Sequence, residues 1–276
     1  MLPDRLYGFL PAHAFLSIQP GLPNAAPLCK YERMNDLDGI KRIVGRLSNN
    51  IYLVKSGDEL VVFDPGMPSD LRRLQDRVKS LGCSPADVTA IVLTHFHVDH
   101  AGCAGALKLL SGAKIYANIE DVPYLHGEKY MPSVFKAGVQ GRALMLLPKT
   151  VEKYSRTPVV QVDVPFRGGD VLPVLGGLEA YDTPGHTPGS SCLLWRERGV
   201  LFTGDAIQNL YLLLTLPEGG FTWDLELAGR SAAEVVDALA DEDYRVICAG
   251  HGPIVRSSAR DKMEFLQSRL RKKGKA

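Results

Sequence analysis

Three histidines and one aspartate fall within six residues in the segment T-H-F-H-V-D-H, as His95, His97, Asp99 and His100. At the chain's own histidine and aspartate frequencies, His-x-His-x-Asp-His arises by chance at roughly 3 in 10,000, so the cluster reads as a chemical site. Imidazole and carboxylate without cysteine form a nitrogen and oxygen donor set suited to zinc, manganese or ferrous iron. The motif starts where the apolar run 90–94 ends, so a strand delivers His95 and His97 toward one side while Asp99 and His100 open the next helix. A metal cage needs further ligands, each best placed where a strand end fixes the backbone. Three residues meet that condition: His186 in D-T-P-G-H-T-P-G-S, Asp205 in L-F-T-G-D and His251 in A-G-H-G. Glycine or proline beside each lets the main chain turn sharply. Together these are five histidines and two aspartates, enough for two adjacent metals.

The elements that must position them follow from periodicity. From Asn49, N-N-I-Y-L-V-K-S-G-D-E-L-V-V-F-D-P-G reads as two strands around a turn at Ser56, Gly57 and Asp58, the second ending at Asp64. Ser69 is expected to cap a helix with Leu71, Leu74, Val78 and Leu81 on one face, followed by strands at 90–94 and 113–117. Residues 119–157 read as a helical insertion. Strands resume at 159–164, 171–174, 178–182, 190–195 and 200–203, and an apolar loop covers 207–227. Ser231 is expected to cap a helix through Ala240, a strand covers 245–249, and an amphipathic helix closes the chain from Ser257. Strands then helices, repeated once, fit an α/β architecture of two face-to-face sheets with helices outside. Residues 1–48, with five prolines (Pro3, Pro11, Pro20, Pro23 and Pro27), read as an irregular N-terminal arm of one domain spanning 1–276.

The 276 residues carry 32 Lys and Arg against 31 Asp and Glu, a net charge of +1. Such a chain has no global field to gather phosphates, so no nucleic-acid partner is expected. No apolar run approaches the ~20 residues of a membrane span, and Pro3, Asp4, Pro11 and His13 interrupt the apolar start, which reads as a cytoplasmic protein with no membrane partner. Five cysteines, an odd number without C-x-x-C spacing, read as small buried apolar residues.

From Asn49 to the C-terminal helix the chain resembles the metallo-β-lactamase fold superfamily of metallo-hydrolases, on five ordered motifs: Asp64, H-x-H-x-D-H, His186, Asp205 and His251. The resemblance implies a four-layer αββα sandwich with a dinuclear site at one edge. It assigns His95, His97 and His186 to one metal, Asp99, His100 and His251 to the other, and Asp205 as a bridge, with Asp64 orienting a ligand histidine from behind. Two zinc ions per chain are implied, with iron or manganese as replacements. Antibiotic-degrading members lack an aspartate at the place of Asp205, which turns the resemblance toward the glyoxalase II, lactonase and phosphodiesterase side. Only 25 residues follow His251, too few for the helical substrate domain of glyoxalase II. The implied activity is hydrolysis of small esters, lactones or thioesters by a metal-bridging hydroxide, with Asp99 or Asp205 handling a proton. Side activity on phosphodiesters or β-lactams is compatible with that chemistry.

Two other readings compete. A mononuclear-iron persulfide dioxygenase would use a subset such as His95, His186 and Asp205 and leave Asp99, His100 and His251 idle. A non-catalytic metal-binding module would fill the same ligand positions. Tyr130 and Tyr211 are candidates for the leaving-group acid, and Tyr211, Phe221 and Trp223 for an apolar wall over the metals, with core or homodimer contact as their alternative. His13 and His126 match no motif position and are expected on the surface or in the insertion. The basic run from Arg269 to Lys275 reads as a solvated tail.

Overall fold

The computed structural model describes residues 39–129, 157–217 and 221–273. Its first sheet runs in the order β1 (Ile40–Val44), β2 (Asn50–Ser56), β3 (Glu59–Phe63), β4 (Ala90–Val92), β5 (Lys114–Asn118) and β6 (Val164–Phe166). The first three strands pair antiparallel and the rest parallel. The second sheet comprises β7 (Val171–Leu172), β8 (Leu178–Asp182), β9 (Ser191–Trp195), β10 (Val200–Gly204) and β13 (Val246–Ala249), with β13 beside β10. Between them in sequence, β11 (Gln208–Leu210) and β12 (Leu213–Thr215) form a separate hairpin. The helices are α1 (Leu71–Ser80), α2 (Val98–Ala101), α3 (Ala104–Ser111), α4 (Val122–Leu125), α5 (Leu225–Ala238) and α6 (Ala259–Lys273).

Alternation along the strands builds the layers. Leu60, Val62, Ile91 and Ile115 face Leu74 and Val78 of α1 and Leu107 of α3. Val61, Phe63 and Val92 point the other way, into the second sheet's Leu193, Trp195 and Phe202. There the Phe63 and Phe202 rings stack with centroids 3.8 Å apart. Leu194, Leu201 and Ile247 turn outward to Val235 and Val236 of α5 and Met263 of α6. Helix, sheet, sheet, helix is the expected sandwich, with both sheets covered on both faces.

Six expectations need correction. The apolar loop expected at 207–227 carries the β11–β12 hairpin and the start of α5, and the strand expected at 159–164 is Val164–Phe166. Of the expected irregular arm, residues 1–38 lie outside the described residues, and the rest is not irregular, because Ile40–Val44 is an edge strand paired with β2. Only Ile40 and Ile43 of that strand are buried, so Lys41 and Arg42 disguise it as polar chain. Ser69 lies in a short 3-10 turn (Pro68–Asp70) ahead of α1. The helix expected from Ser231 starts at Leu225, capped by Asp224, whose carboxylate accepts from Leu227 N at 2.9 Å. Cys83 is disulfide-bonded, whereas Cys103, Cys192 and Cys248 are free and buried, so the apolar reading holds for those three. Of the 119–157 insertion, the described residues contain the single turn α4; residues 130–156 lie outside them. No helix among the described residues is long and apolar enough to cross a membrane.

Candidate metal centre

The chemical residues stand on loops that leave the two sheets. His95 and His97 follow β4, with Asp99 and His100 in α2; His186 follows β8, Asp205 follows β10, and His251 follows β13. Ligand atoms of His95, His97 and His186 lie within 4.8 Å of one another, as do those of Asp99, His100 and His251. Asp205 sits between the groups, with Oδ2 3.5 Å from His186 Nε2 and 3.4 Å from His251 Nε2, and Oδ1 3.6 Å from His100 Nε2. All seven expected ligand residues therefore meet at one place.

What holds the rings explains why their Nε2 atoms are bare. The Asp64 carboxylate accepts from Thr94 N at 2.8 Å, from the Thr94 hydroxyl at 2.7 Å and from His100 Nδ1 at 2.9 Å. With its proton committed to Asp64, the Thr94 hydroxyl accepts from His95 Nδ1 at 3.1 Å. His186 Nδ1 stands 3.1 Å from the Thr222 hydroxyl. The Asp64 carboxylate keeps a proton on His100 Nδ1 and the Thr94 oxygen keeps one on His95 Nδ1, while Thr222 orients His186 in the same way, so Nε2 of each ring is the atom turned to the site; His100 presents it as a lone pair once its second proton has left. Asp64 does this from a left-handed backbone (φ 47°), a conformation an aspartate holds only where its surroundings fix it.

His95, His100 and His186 Nε2 and Asp205 Oδ1 are buried without a hydrogen-bond partner. An unsatisfied buried polar atom costs about 1–3 kcal/mol, so four converging ones fit a group that supplies the missing partner, and nitrogen with carboxylate oxygen suits a divalent transition metal. Electrostatics divides the site. Burial, reinforced by neighbouring histidines, lowers His95 well below its usual range and takes His97 to about 3 and His186 to about 4, so these rings are neutral. For His100, burial is outweighed by Asp99, Asp205 and Asp64, which raise it to about 9. For His251, burial is likewise outweighed by Asp205 and Asp99, which raise it to about 11. Against burial, His100 and His251 hold Asp99 down at about 2, and the same two rings keep Asp205 well below the usual carboxylate range.

Residues outside the motifs build the frame. Asn50 Nδ2 donates to the Ala249 and Gly252 carbonyls at 2.8 and 2.6 Å, and Tyr52 OH donates to Ala249 O at 2.6 Å, fixing the turn that carries His251. Asn49 Nδ2 donates to Asp99 O at 2.6 Å, and Gln208 Nε2 to Asp205 Oδ2 at 2.9 Å. Gly250 leaves room for Asp205, since a Cβ there would collide with Asp205 Oδ1. Sequence reading took Asn49 and Asn50 as a strand start and passed over Gln208 and Thr222; the adjacent polar pair ahead of an apolar strand was the one available signal.

Of the expected pocket residues, Phe221 and Trp223 flank Thr222, are half-exposed, and belong to a segment tied to the site by Trp223 N donating to His186 O at 3.1 Å. Tyr211 stands at the β11–β12 tip, 94% exposed, where it forms no wall. Tyr130 and His13 lie outside the described residues. His126 is a half-buried structural residue whose Nε2 accepts from Val162 N at 3.3 Å.

Comparison with known proteins agrees with this geometry. An uncharacterized protein of Aquifex aeolicus is 32% identical over 214 residues, 75% of this chain and 86% of its own length. YflN of Bacillus subtilis, described as a probable metallo-hydrolase, is 28% identical over 240 residues, 80% of this chain and 87% of its own. Among solved structures, a metallo-beta-lactamase family protein of Thermus thermophilus is 25% identical with a TM-score of 0.61, covering 85% of this chain and 80% of that one. A subclass B3 metallo-beta-lactamase of Bradyrhizobium japonicum, 22% identical with a TM-score of 0.61 and covering 86% and 90%, shares the fold. The family model of the metallo-beta-lactamase superfamily matches residues 44–251, from the first strand to the last histidine of the site, and the chain belongs to that superfamily.

Proposed function

We propose that the protein is a binuclear metal-dependent hydrolase of small esters, lactones or thioesters, with zinc as its ion. The reading rests above all on the bare Nε2 atoms of His95, His100 and His186 converging on a partnerless Asp205 oxygen. His95, His97 and His186 would hold one ion, Asp99, His100 and His251 the other, and Asp205, in reach of both sets, would serve both. When bound, such ions supply a Lewis acid for the substrate carbonyl and bring the pKa of water down to about 7.

The remaining steps belong to the chain. Asp64 and Thr94 keep a proton on Nδ1 of His100 and His95, so Nε2 is the atom of each ring that would face the ion, in His100 after its second proton has left. Asp99 Oδ2, on a side chain 18% exposed and 3.5 Å from His251 Nε2, is ionised and would orient an attacking water by accepting its hydrogen bond. The Asp205 carboxylate, held by Gln208, keeps its negative charge across the working pH range. Phe221 and Trp223, half-exposed beside the His186 loop, offer apolar surface for the substrate body.

Metal content and turnover should be measured on one sample against an ester, a lactone, a thioester, a phosphodiester and a β-lactam. Close to two zinc ions per chain, with turnover on the ester, lactone or thioester, is expected. One iron per chain with oxygen consumption, or zinc-loaded protein inert on the whole panel, would refute the reading.

A further inference from the structure

Each half of the site joins a loop of the first sheet to a loop of the second, and such a junction needs a bracket. Around Asp99 and His251 the bracket is Asn49 and Asn50. Around the three histidines it is Asp121, which stands on neither loop. Asp121 immediately precedes α4 and is fully buried. One carboxylate oxygen, Oδ2, accepts from Phe96 N, between His95 and His97, at 2.9 Å, and from the Thr187 hydroxyl, next to His186, at 2.9 Å. The other, Oδ1, accepts from Gly189 N at 2.7 Å. Gly189 has to be glycine for this approach, since a Cβ there would lie 2.7 Å from Asp121 Cγ and 2.8 Å from Oδ1. Ser190 completes the bracket, its hydroxyl 2.9 Å from that of Thr187 and accepting from Thr187 N at 2.9 Å.

We propose that Asp121 is a positioning residue that clamps the His95–His97 loop to the His186 loop and so presets the three-histidine half of the site before metal arrives. The proposal rests on reading those histidines as ligands. A buried carboxylate is costly unless its charge is matched by donors, and here every donor comes from one of the two loops to be joined. Neutral rings held together in this way lose little freedom on binding an ion, which is the thermodynamic benefit of a preset site.

Asp121→Asn replaces one oxygen by an NH2 group, which cannot accept from Phe96 N and Gly189 N together. Thr187→Val removes the hydroxyl donor alone, and Thr187→Ser restores it. Cobalt(II) titration followed by absorption should show one of two ions bound 10 to 100-fold more weakly in Asp121→Asn, as for other residues that orient metal ligands, with the second ion unchanged. Thr187→Val should move the same ion in the same direction, and Thr187→Ser should match the parent protein. In metal-free protein, amide exchange should speed up by about tenfold in Asp121→Asn at Phe96 or at Gly189, whichever is left facing the NH2, the equivalent of one ordinary hydrogen bond. Parent-like affinity for both ions in Asp121→Asn and Thr187→Val, or unchanged exchange at both amides, would overturn the clamp. If the parent protein takes up no ion, the ligand reading falls by itself, and the exchange rates still decide whether Asp121 joins the loops.

Discussion

Replacing Asp64 by asparagine, the residue nearest to it in shape, should harm metal binding more than removing the side chain. In the parent, Oδ1 accepts from Thr94 N, while Oδ2 accepts from the Thr94 hydroxyl and from His100 Nδ1. An asparagine keeps its oxygen toward Thr94 N and sets an NH2 where Oδ2 was. One of its protons then points at His100 Nδ1 and forces that ring to carry its own proton on Nε2. The other points at the Thr94 oxygen, so the hydroxyl proton turns to His95 Nδ1, 3.1 Å away, and inverts the second ring. One substitution thus blocks a lone pair in each half of the site. At 10 to 100-fold per mis-set ligand, each ion should lose about 1.4–2.7 kcal/mol of binding. Asp64→Ala leaves each ring free to put its proton on either nitrogen, but strands three buried donors at about 1–3 kcal/mol each, so it should cost more stability and less affinity. Chelator competition for both ions, with thermal melting of the metal-free proteins, separates the two effects. Asparagine binding both ions within about threefold of the parent, or more tightly than alanine, would refute the tautomer relay.

Asp205→Ala should abolish binuclear loading and turnover while the protein stays folded, read from metal content and a circular-dichroism melt; full activity would contradict a shared ligand. Metal affinity should rise with pH at Asp99, His100 and His251, because His100 (about 9) and His251 (about 11) must first lose protons, while His97 (about 3) and His186 (about 4) are neutral already. The same shifts set the stability of metal-free protein. Raised histidines contribute stability that is complete below their unfolded value of about 6.5 and is lost as pH climbs through 9, so the chelated protein should melt earlier at pH 10 than at pH 7. A flat affinity profile from pH 6 to about 9 would remove the basis of both statements. Gly250→Ala should displace Asp205 and lose bound metal, whereas Gly57→Ala, where a Cβ meets nothing within 4 Å, should keep it; equal metal content would show that the close approach is unimportant.

The convergence of the expected ligand residues was legible because metal chemistry admits few residue types and the ends of strands admit few places. His95, His97, His186, Asp205 and His251 carry both marks, Asp99 and His100 follow in the same short motif, and the structure brings all seven to one place. The two-sheet sandwich was legible for a related reason: β3 and β10 are buried on both faces and stand in the sequence as short continuous apolar runs, Leu60 to Phe63 and Val200 to Phe202, bounded by turns. Where side chains work against local pattern, reading failed. β1 hides two buried isoleucines behind Lys41 and Arg42. Ser231 resembles a helix cap, but its hydroxyl donates to Pro184 O at 2.6 Å and ties α5 to the His186 loop.

Asp121, Asn49 and Asn50 escaped for a deeper reason. Most of their partners are main-chain groups, which every residue supplies, so beyond the adjacency of the two asparagines no spacing or composition marks them. Their necessity follows from the ligand set. Of the buried side-chain atoms without a partner among the described residues, four lie on His95, His100, His186 and Asp205, and the left-handed Asp64 stands directly behind them. A fold that leaves those atoms bare must fix the loops to one another by other means, or the rings would turn to the nearest donors. The buried amides and the Asp121 carboxylate satisfy the backbone of the ligand loops and leave the imidazoles for the ion. Unsatisfied ligands and over-satisfied loops are therefore two sides of one design, and finding the first in a sequence is reason to search for the second in the structure.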